Sequence, residues 1–194
     1  MNFLAHLYLS GNSDEIKLGN FIGDYIKGKE YLKYPPLVRK GLLLHRKIDN
    51  FTDKHPIVRK NKKYFSSRYH KYAGIVTDII YDHYLASHWH WYSDLSLGEF
   101  IEGTHEMLID NYTVLPNGIK AILPYFIRNR WLKSYQTLEG INSVLIGMAK
   151  GTSLPDEAEF AMKVIRSNYN DIKNDFLNFF PELMRYVNSE LEKD

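Results

Sequence analysis

The apolar run Leu42-Leu43-Leu44 leads directly into His45-Arg46-Lys47-Ile48-Asp49-Asn50-Phe51-Thr52-Asp53. This segment reads as a helix. On a helix His45 and Asp49 are four residues apart and share a face, with Asp53 one turn further on. An imidazole and two carboxylates then stand in line, each about 6 Å from the next along the axis. Such groups are costly to bury unpaired, so the segment demands partners from elsewhere in the fold. A second stretch, Asp78-Ile79-Ile80-Tyr81-Asp82-His83, echoes it, with Asp78 and Asp82 again at i, i+4 and His83 beside them. Two helices facing each other across these residues would make a site for a divalent metal.

The 194 residues suffice for one domain with a sizeable core, so a single helical domain over 1–194 is expected. There is no cysteine, which excludes disulfides, thiolate ligands and cysteine nucleophiles. A metal site here must use His, Asp, Glu and water, a donor set that suits Mg, Mn, Fe or Zn in a catalytic role. No apolar run approaches the ~20 residues of a membrane span, and the first residues lack the pattern of a signal peptide, so a cytoplasmic protein is expected. Net charge is only +2, but between Lys27 and Lys71 there are 14 Lys/Arg against 3 Asp/Glu, a local +11 that leaves −9 for the remainder. That asymmetry predicts a basic face for an acidic partner, or, more simply, a solvated helical surface.

No stretch alternates over strand length, and there is no internal repeat or flexible linker. Residues 1–10 are apolar, with Asn2 and His6 a polar pair at i, i+4 if helical. Asn12 or Ser13 can cap a helix running to about Lys27 and ended by Gly28. Asp24 then lies in that helix's last turns, where an acid opposes the macrodipole and needs another reason to be present. Pro35-Pro36 open the helix that carries His45, and Pro56 opens a short, very basic one. A long apolar helix is expected from Tyr72 to about Tyr92, and another from Ser93 or Ser96 to Tyr112. Further helices are expected over 116–135 with a break at Pro124, over 137–150, and over 155–192 with a start or kink at Pro181. The reading is an all-α irregular bundle of roughly seven to nine helices.

The chemistry-bearing set is Asp24, His45, Asp49, Asp53, Asp78, Asp82 and His83. A metal would supply the positive charge these groups lack and activate a water for attack on phosphorus or carbonyl. The same residues also read as core histidines and buried acids paired with Arg39, Arg46 or Lys47. A nucleophile elbow, a P-loop and a dinucleotide fingerprint are all absent. Aromatics among lysines around Tyr64–Tyr72 suggest nucleic acid only weakly, because the overall charge is too small for a dedicated binder.

Several stretches are shared with a known family. MNFLAHLYLS at 1–10, GNFIGDYIKG at 19–28, PP at 35–36, HRKIDNFTDKHP at 45–56, TDIIYDHYLASHW at 77–89 and NSVLIGMA at 142–149 occur in order over about three quarters of the chain. With them the chain resembles the acyl carrier protein phosphodiesterases, also called ACP hydrolyases. The resemblance implies an all-α enzyme related to the HD phosphohydrolases, with a divalent metal, manganese first and magnesium or iron as alternatives. It implies hydrolysis of the phosphodiester joining 4′-phosphopantetheine to a serine of acyl carrier protein. No His is directly followed by Asp here; the dyad residues stand as His45…Asp49 and as the reversed Asp82-His83. Carried onto this chain, the family's polar positions fall on Asp24, His45, Asp49, Asp53, Asp78, Asp82 and His83, with His6 in the first motif. The direct ligands cannot be copied from the standard dyad, and the expectation is Asp24, His45, Asp49 and Asp82 on the metal with Asp78 orienting them. His83 or His6 is expected as general acid for the leaving serine oxygen. Acyl carrier proteins are acidic, so Arg39, Lys40, Arg46, Lys47, Arg59, Lys60, Lys62 and Lys63 become docking residues, and some of the arginines become phosphate contacts.

Overall fold

The computed structural model describes residues 1–193. Helices α1 (Phe3–Tyr8), α2 (Asp14–Phe21), α3 (Pro36–Lys54), α4 (Pro56–Tyr69), α5 (Ala73–Ser87) and α6 (Leu97–Asp110) make up the first half. They are followed by α7 (Asn117–Arg128), α8 (Trp131–Ser134), α9 (Leu138–Gly151), α10 (Ala158–Ser167) and α11 (Tyr169–Leu191). Nine of these exceed seven residues, α1 and α8 being the short ones, and no strand occurs among the described residues. The all-α class expected from the sequence is therefore what the chain adopts.

Helix α5 runs through the middle. Every residue from Ile79 to Ala86 is buried, Asp82 and His83 included, as befits a helix that is apolar on all sides. It packs on α1, α4, α9 and α11. Helix α11 lays a stripe of Ile172, Phe176, Phe179, Phe180, Leu183 and Val187 on the core, with Tyr81 edge-on to Phe176 at 5.4 Å between ring centres. That burial spans Pro181, so the helix continues through it; the predicted tail breaks instead at Asn168. In the same way α7 runs unbroken through Pro124, because Ile119, Leu123 and Phe126 stay buried on both sides of it, and the break falls at Arg130, whose φ is +47°.

Helices α2 and α3 touch backbone to backbone. A Cβ on Gly19 would lie 2.1 Å from the Val38 carbonyl oxygen, and one on Gly41 would lie 2.2 Å from that of Ile16. Ser13 caps α2, its hydroxyl accepting from the Ile16 N–H. The helix ends at Phe21, however, not near Lys27, and Gly23–Tyr25 form a 3-10 turn. The cause is local: the His45 ring occupies the place beside Gly23, where a Cβ would come within 2.2 Å of it. Asp24 is therefore carried on a turn rather than on a helix end. Likewise the long helix expected up to Tyr92 closes at Ser87 and hands over to a 3-10 turn at Trp89–Trp91.

Candidate metal centre

The buried stripe of α3 runs through Val38, Leu42, His45, Ile48 and Thr52. His45 is thereby sealed in, while Asp49, one turn on, stands at the margin with 39% of its side chain exposed. The His45 Nε2 atom lies 3.1 Å from Asp49 Oδ2 and 3.3 Å from Asp24 Oδ1. From α1, His6 brings its Nε2 to 3.2 Å from Asp49 Oδ1, and its ring stacks on that of His45 with centres 4.1 Å apart. His6, His45 and Asp49 each offer a ligand atom within 4.8 Å of the others.

One residue orients both rings. Asn20 is fully buried on α2. Its amide nitrogen donates to the His6 carbonyl and to the Ser10 hydroxyl, each at 2.8 Å. Its side-chain oxygen is therefore free to accept from His6 Nδ1 at 2.7 Å, while its backbone carbonyl accepts from His45 Nδ1 at 2.8 Å. With both Nδ1 atoms donating, both Nε2 lone pairs face oxygens: the Asp49 carboxylate for each and, for His6, also the Met1 carbonyl at 3.1 Å. Lone pairs facing oxygens repel unless a proton or a cation lies between them. Ligand atoms about 2.1 Å from a single ion at right angles sit about 3 Å apart, and the separations of 3.1–3.3 Å match that. The residues present therefore fit a divalent ion, with each histidine's far nitrogen held by an oxygen as metal-ligating imidazoles require.

Without an ion, the electrostatics put a proton in that place, on His45. Burial pulls His45 down, but the hydrogen bonds and charges of Asp24 and Asp49 outweigh it and carry the imidazole up to about 9. His6, buried and beside His45, is pulled down to about 4. Burial opposes ionisation of Asp49, yet its bonds to His45 and His6 hold its carboxyl well below the usual range. Asp24 is also held low, chiefly by its bond to His45. Asp78 behaves in the opposite way, pushed up by burial.

Asp24, Asp49 and Asp78 line one cleft of about 690 Å³ together with Met1, Tyr25, Lys62 and Met148. Between α3 and α5 lies the start of α1: the Met1 nitrogen is 3.3 Å from Asp78 Oδ1 and 3.7 Å from Asp49 Oδ1. Asp82, one turn below Asp78, is fully buried and turned to the same helix start. Its two oxygens accept the Leu4 N–H at 2.8 Å and the Ala5 N–H at 3.2 Å. They satisfy free N–H groups that a six-residue helix would otherwise leave unpaired. His83 faces a different neighbourhood, its Nδ1 donating to the Tyr135 carbonyl at 2.8 Å and its Nε2 lying 2.9 Å from the Tyr169 hydroxyl. The structure thus gathers His6, His45, Asp49 and Asp24, sets Asp78 nearby in the cleft, and places Asp82 and His83 elsewhere.

Asp53 turns outward and pairs with Lys62 at 2.6 Å. The basic segment is largely tied to the protein itself. Arg39 donates to the carbonyls of Leu32 and Tyr34, and Arg46 donates to those of Ile26 and Gly28 while lying over the Tyr31 ring. These two arginines pin the 26–35 loop. Lys47 pairs with Glu190, Lys60 with Asp175, and Arg59 donates to the Asp53 carbonyl. Lys63 is exposed and forms no ion pair among the described residues. Asn20 and Gly23 are site residues that sequence reasoning passed over, although both lie in GNFIGDYIKG. The available signal was their spacing to Asp24.

Residues 1–183 match the family Acyl carrier protein phosphodiesterase. The proteins named acyl carrier protein phosphodiesterase from Yersinia pestis and Salmonella agona are each 32% identical to the chain, over 95% of it and 96% of their own length. The protein of that name from Klebsiella pneumoniae is 30% identical over 98% of this chain and 99% of its own. No solved structure matches the chain. The matched residues include the whole His6–Asn20–Asp24–His45–Asp49 arrangement, and the chain belongs to the acyl carrier protein phosphodiesterase family.

Proposed function

We propose that this chain hydrolyses the phosphodiester joining 4′-phosphopantetheine to a serine of holo-acyl carrier protein, in the cytoplasm, and does so with a divalent metal, manganese before magnesium or iron. The observation that carries the reading is the convergence of His6 Nε2 and His45 Nε2 on the Asp49 carboxylate at 3.2 and 3.1 Å, at the edge of an open cleft, in a chain of this family. Among the described residues no helix is long and apolar enough to cross a membrane.

His6, His45, Asp49 and Asp24 would hold the ion. When bound, it supplies charge to the phosphoryl oxygens and acidity to water. The protein's own groups do the rest. Asn20 fixes both imidazoles with their Nε2 atoms forward. Asp82 anchors the start of α1 and so places His6. The leaving serine oxygen needs a proton. Among the cleft carboxyls Asp24 and Asp49 are held low while Asp78 is pushed up. Environments that drive neighbouring acids apart favour as acid the one whose carboxyl is pushed up, and here that is Asp78. Lys63 and the exposed parts of α3 and α4 would attract an acidic carrier protein.

Incubation with holo-acyl carrier protein and Mn²⁺, followed by mass spectrometry of the carrier, tests this. Loss of the phosphopantetheine mass is expected, with Asp78→Asn slow but still metal-binding. An intact holo carrier alongside turnover of a generic phosphodiester would overturn the substrate assignment.

A further inference from the structure

The cleft holds groups of both signs of charge. The carboxylates Asp24, Asp49, Asp53 and Asp78 line it, and so do Lys62 from the middle of α4 and His70 and Lys71 from the turn into α5. Lys62 is a cation of the basic segment that lines this cleft and is partly buried in it. Only 25% of its side chain is exposed. Its stem lies along Gly74, where an added Cβ would come within 3.2 Å of the lysine Cε, so the missing side chain at 74 makes room for it. Gly74 is one turn before Asp78 on α5, and the Lys62 charge is felt there: burial pushes Asp78 up, and Lys62 is among the cations that pull it back. Its partner Asp53 is 67% exposed. A pair that is open to water on one side is weak, so an incoming anion can draw the ammonium away.

The reaction gives such a cation a role. Water oxygen bonds to phosphorus, and the bond from phosphorus to the serine oxygen breaks. One water proton ends on the serine oxygen and the other on the product or in solvent. The diester enters with one negative charge and the phosphomonoester leaves with up to two. A cation on the phosphoryl oxygens is therefore held more tightly as the reaction proceeds, which favours the transition state over the bound substrate. We propose that Lys62 exchanges Asp53 for the non-bridging phosphoryl oxygens and is the phosphate-binding side chain of the cleft. This rests on the phosphodiesterase reading above.

The test compares Lys62→Met, Lys62→Arg and Lys63→Met in the release of 4′-phosphopantetheine from holo-acyl carrier protein at low and at high salt, with free 4′-phosphopantetheine as inhibitor. Lys62→Met is expected to lose about 10- to 100-fold in kcat/KM, mostly in kcat, at both salt concentrations. Lys62→Arg should recover much of the loss, and the product should inhibit Lys62→Met at least about tenfold more weakly. Lys63→Met removes the same charge outside the cleft and should matter only at low salt. A Lys62→Met loss that vanishes at high salt, or is no larger than that of Lys63→Met, overturns the proposal. Should the wild type leave the carrier intact, the phosphodiesterase reading fails by itself, and ³¹P NMR of 4′-phosphopantetheine binding still decides on Lys62. Weaker binding by Lys62→Met than by wild type upholds the contact, and equal binding overturns it.

Discussion

His45 and His83 are the same residue type, each close in sequence to an aspartate, each on a long helix and each buried. Their surroundings are opposite. His45 has its far nitrogen held by the Asn20 carbonyl and its near nitrogen facing the carboxylates of Asp49 and Asp24. His83 has both nitrogens engaged, by the Tyr135 carbonyl and the Tyr169 hydroxyl, and among the described residues it pairs with no carboxylate. Asp49 and Asp82 differ in the same sense. The first faces two imidazoles at the mouth of a cleft, and the second is consumed by the Leu4 and Ala5 N–H groups. A polar residue on a buried face becomes reactive or structural according to whether its neighbours leave it a free valence pointing at open space.

The comparison breaks most visibly in catalysis. Replacing His45 or Asp49 by Ala should abolish carrier-protein hydrolysis, by about 10³-fold or more, with circular dichroism and Tm close to wild type. His83→Gln should stay within several-fold of wild type in the same assay. A loss in His83→Gln as large as that in His45→Ala would erase the distinction.

A smaller effect is expected at Gly23, which tests whether the seat of His45 matters as much as its identity. An Ala there would put its Cβ 2.2 Å from the ring. The imidazole must shift, and displacing the support of a ligand costs about 10- to 100-fold in metal affinity or rate. Gly103 is the control, since a Cβ there meets nothing within 4 Å. Gly103→Ala should leave turnover alone and raise stability by about 0.5–1 kcal/mol. Equal turnover in the two alanine variants would show that His45 does not depend on Gly23.

At Asp82 the expected change is in stability first. Asp82→Ala leaves two buried N–H groups without an acceptor, which costs about 2–4 kcal/mol. At roughly 2–4 °C per kcal/mol for a chain of this size, thermal melting should fall by about 5–12 °C. Asp82→Asn keeps one acceptor oxygen and should fall less. Unchanged melting in Asp82→Ala, with loss of bound metal, would move this residue into the site.

Periodicity and proline punctuation made most of the helices legible: Pro35-Pro36, Pro56 and Ser96 all start helices where they should. They misplace ends decided by tertiary contact. Helix α2 stops at Phe21 because a histidine from another helix fills the space beside Gly23, and α7 and α11 pass through their prolines because burial on either side outweighs one lost hydrogen bond. In the site, His45 and Asp49 were legible because they are local, i, i+4 on one helix. Asn20 was not, because its value lies in reaching two other elements at once. Asp82 and His83 carry the same chemistry in sequence, and only the fold shows that their partners are backbone N–H groups, a carbonyl and a tyrosine hydroxyl. The basic segment is similar: composition shows its charge, but not that Arg39 and Arg46 spend theirs on the carbonyls of a loop.

The central claim is that His6, His45 and Asp49 form one metal centre oriented by Asn20. The most direct measurement is titration of Mn²⁺ into the purified chain, followed by the loss of the free-ion EPR signal. Wild type, His83→Gln and Asp82→Asn should bind the ion, while His6→Ala, His45→Ala and Asp49→Ala, still folded, should bind it at least about a hundredfold more weakly. Binding in His45→Ala equal to wild type, or its loss in folded His83→Gln, would contradict the account.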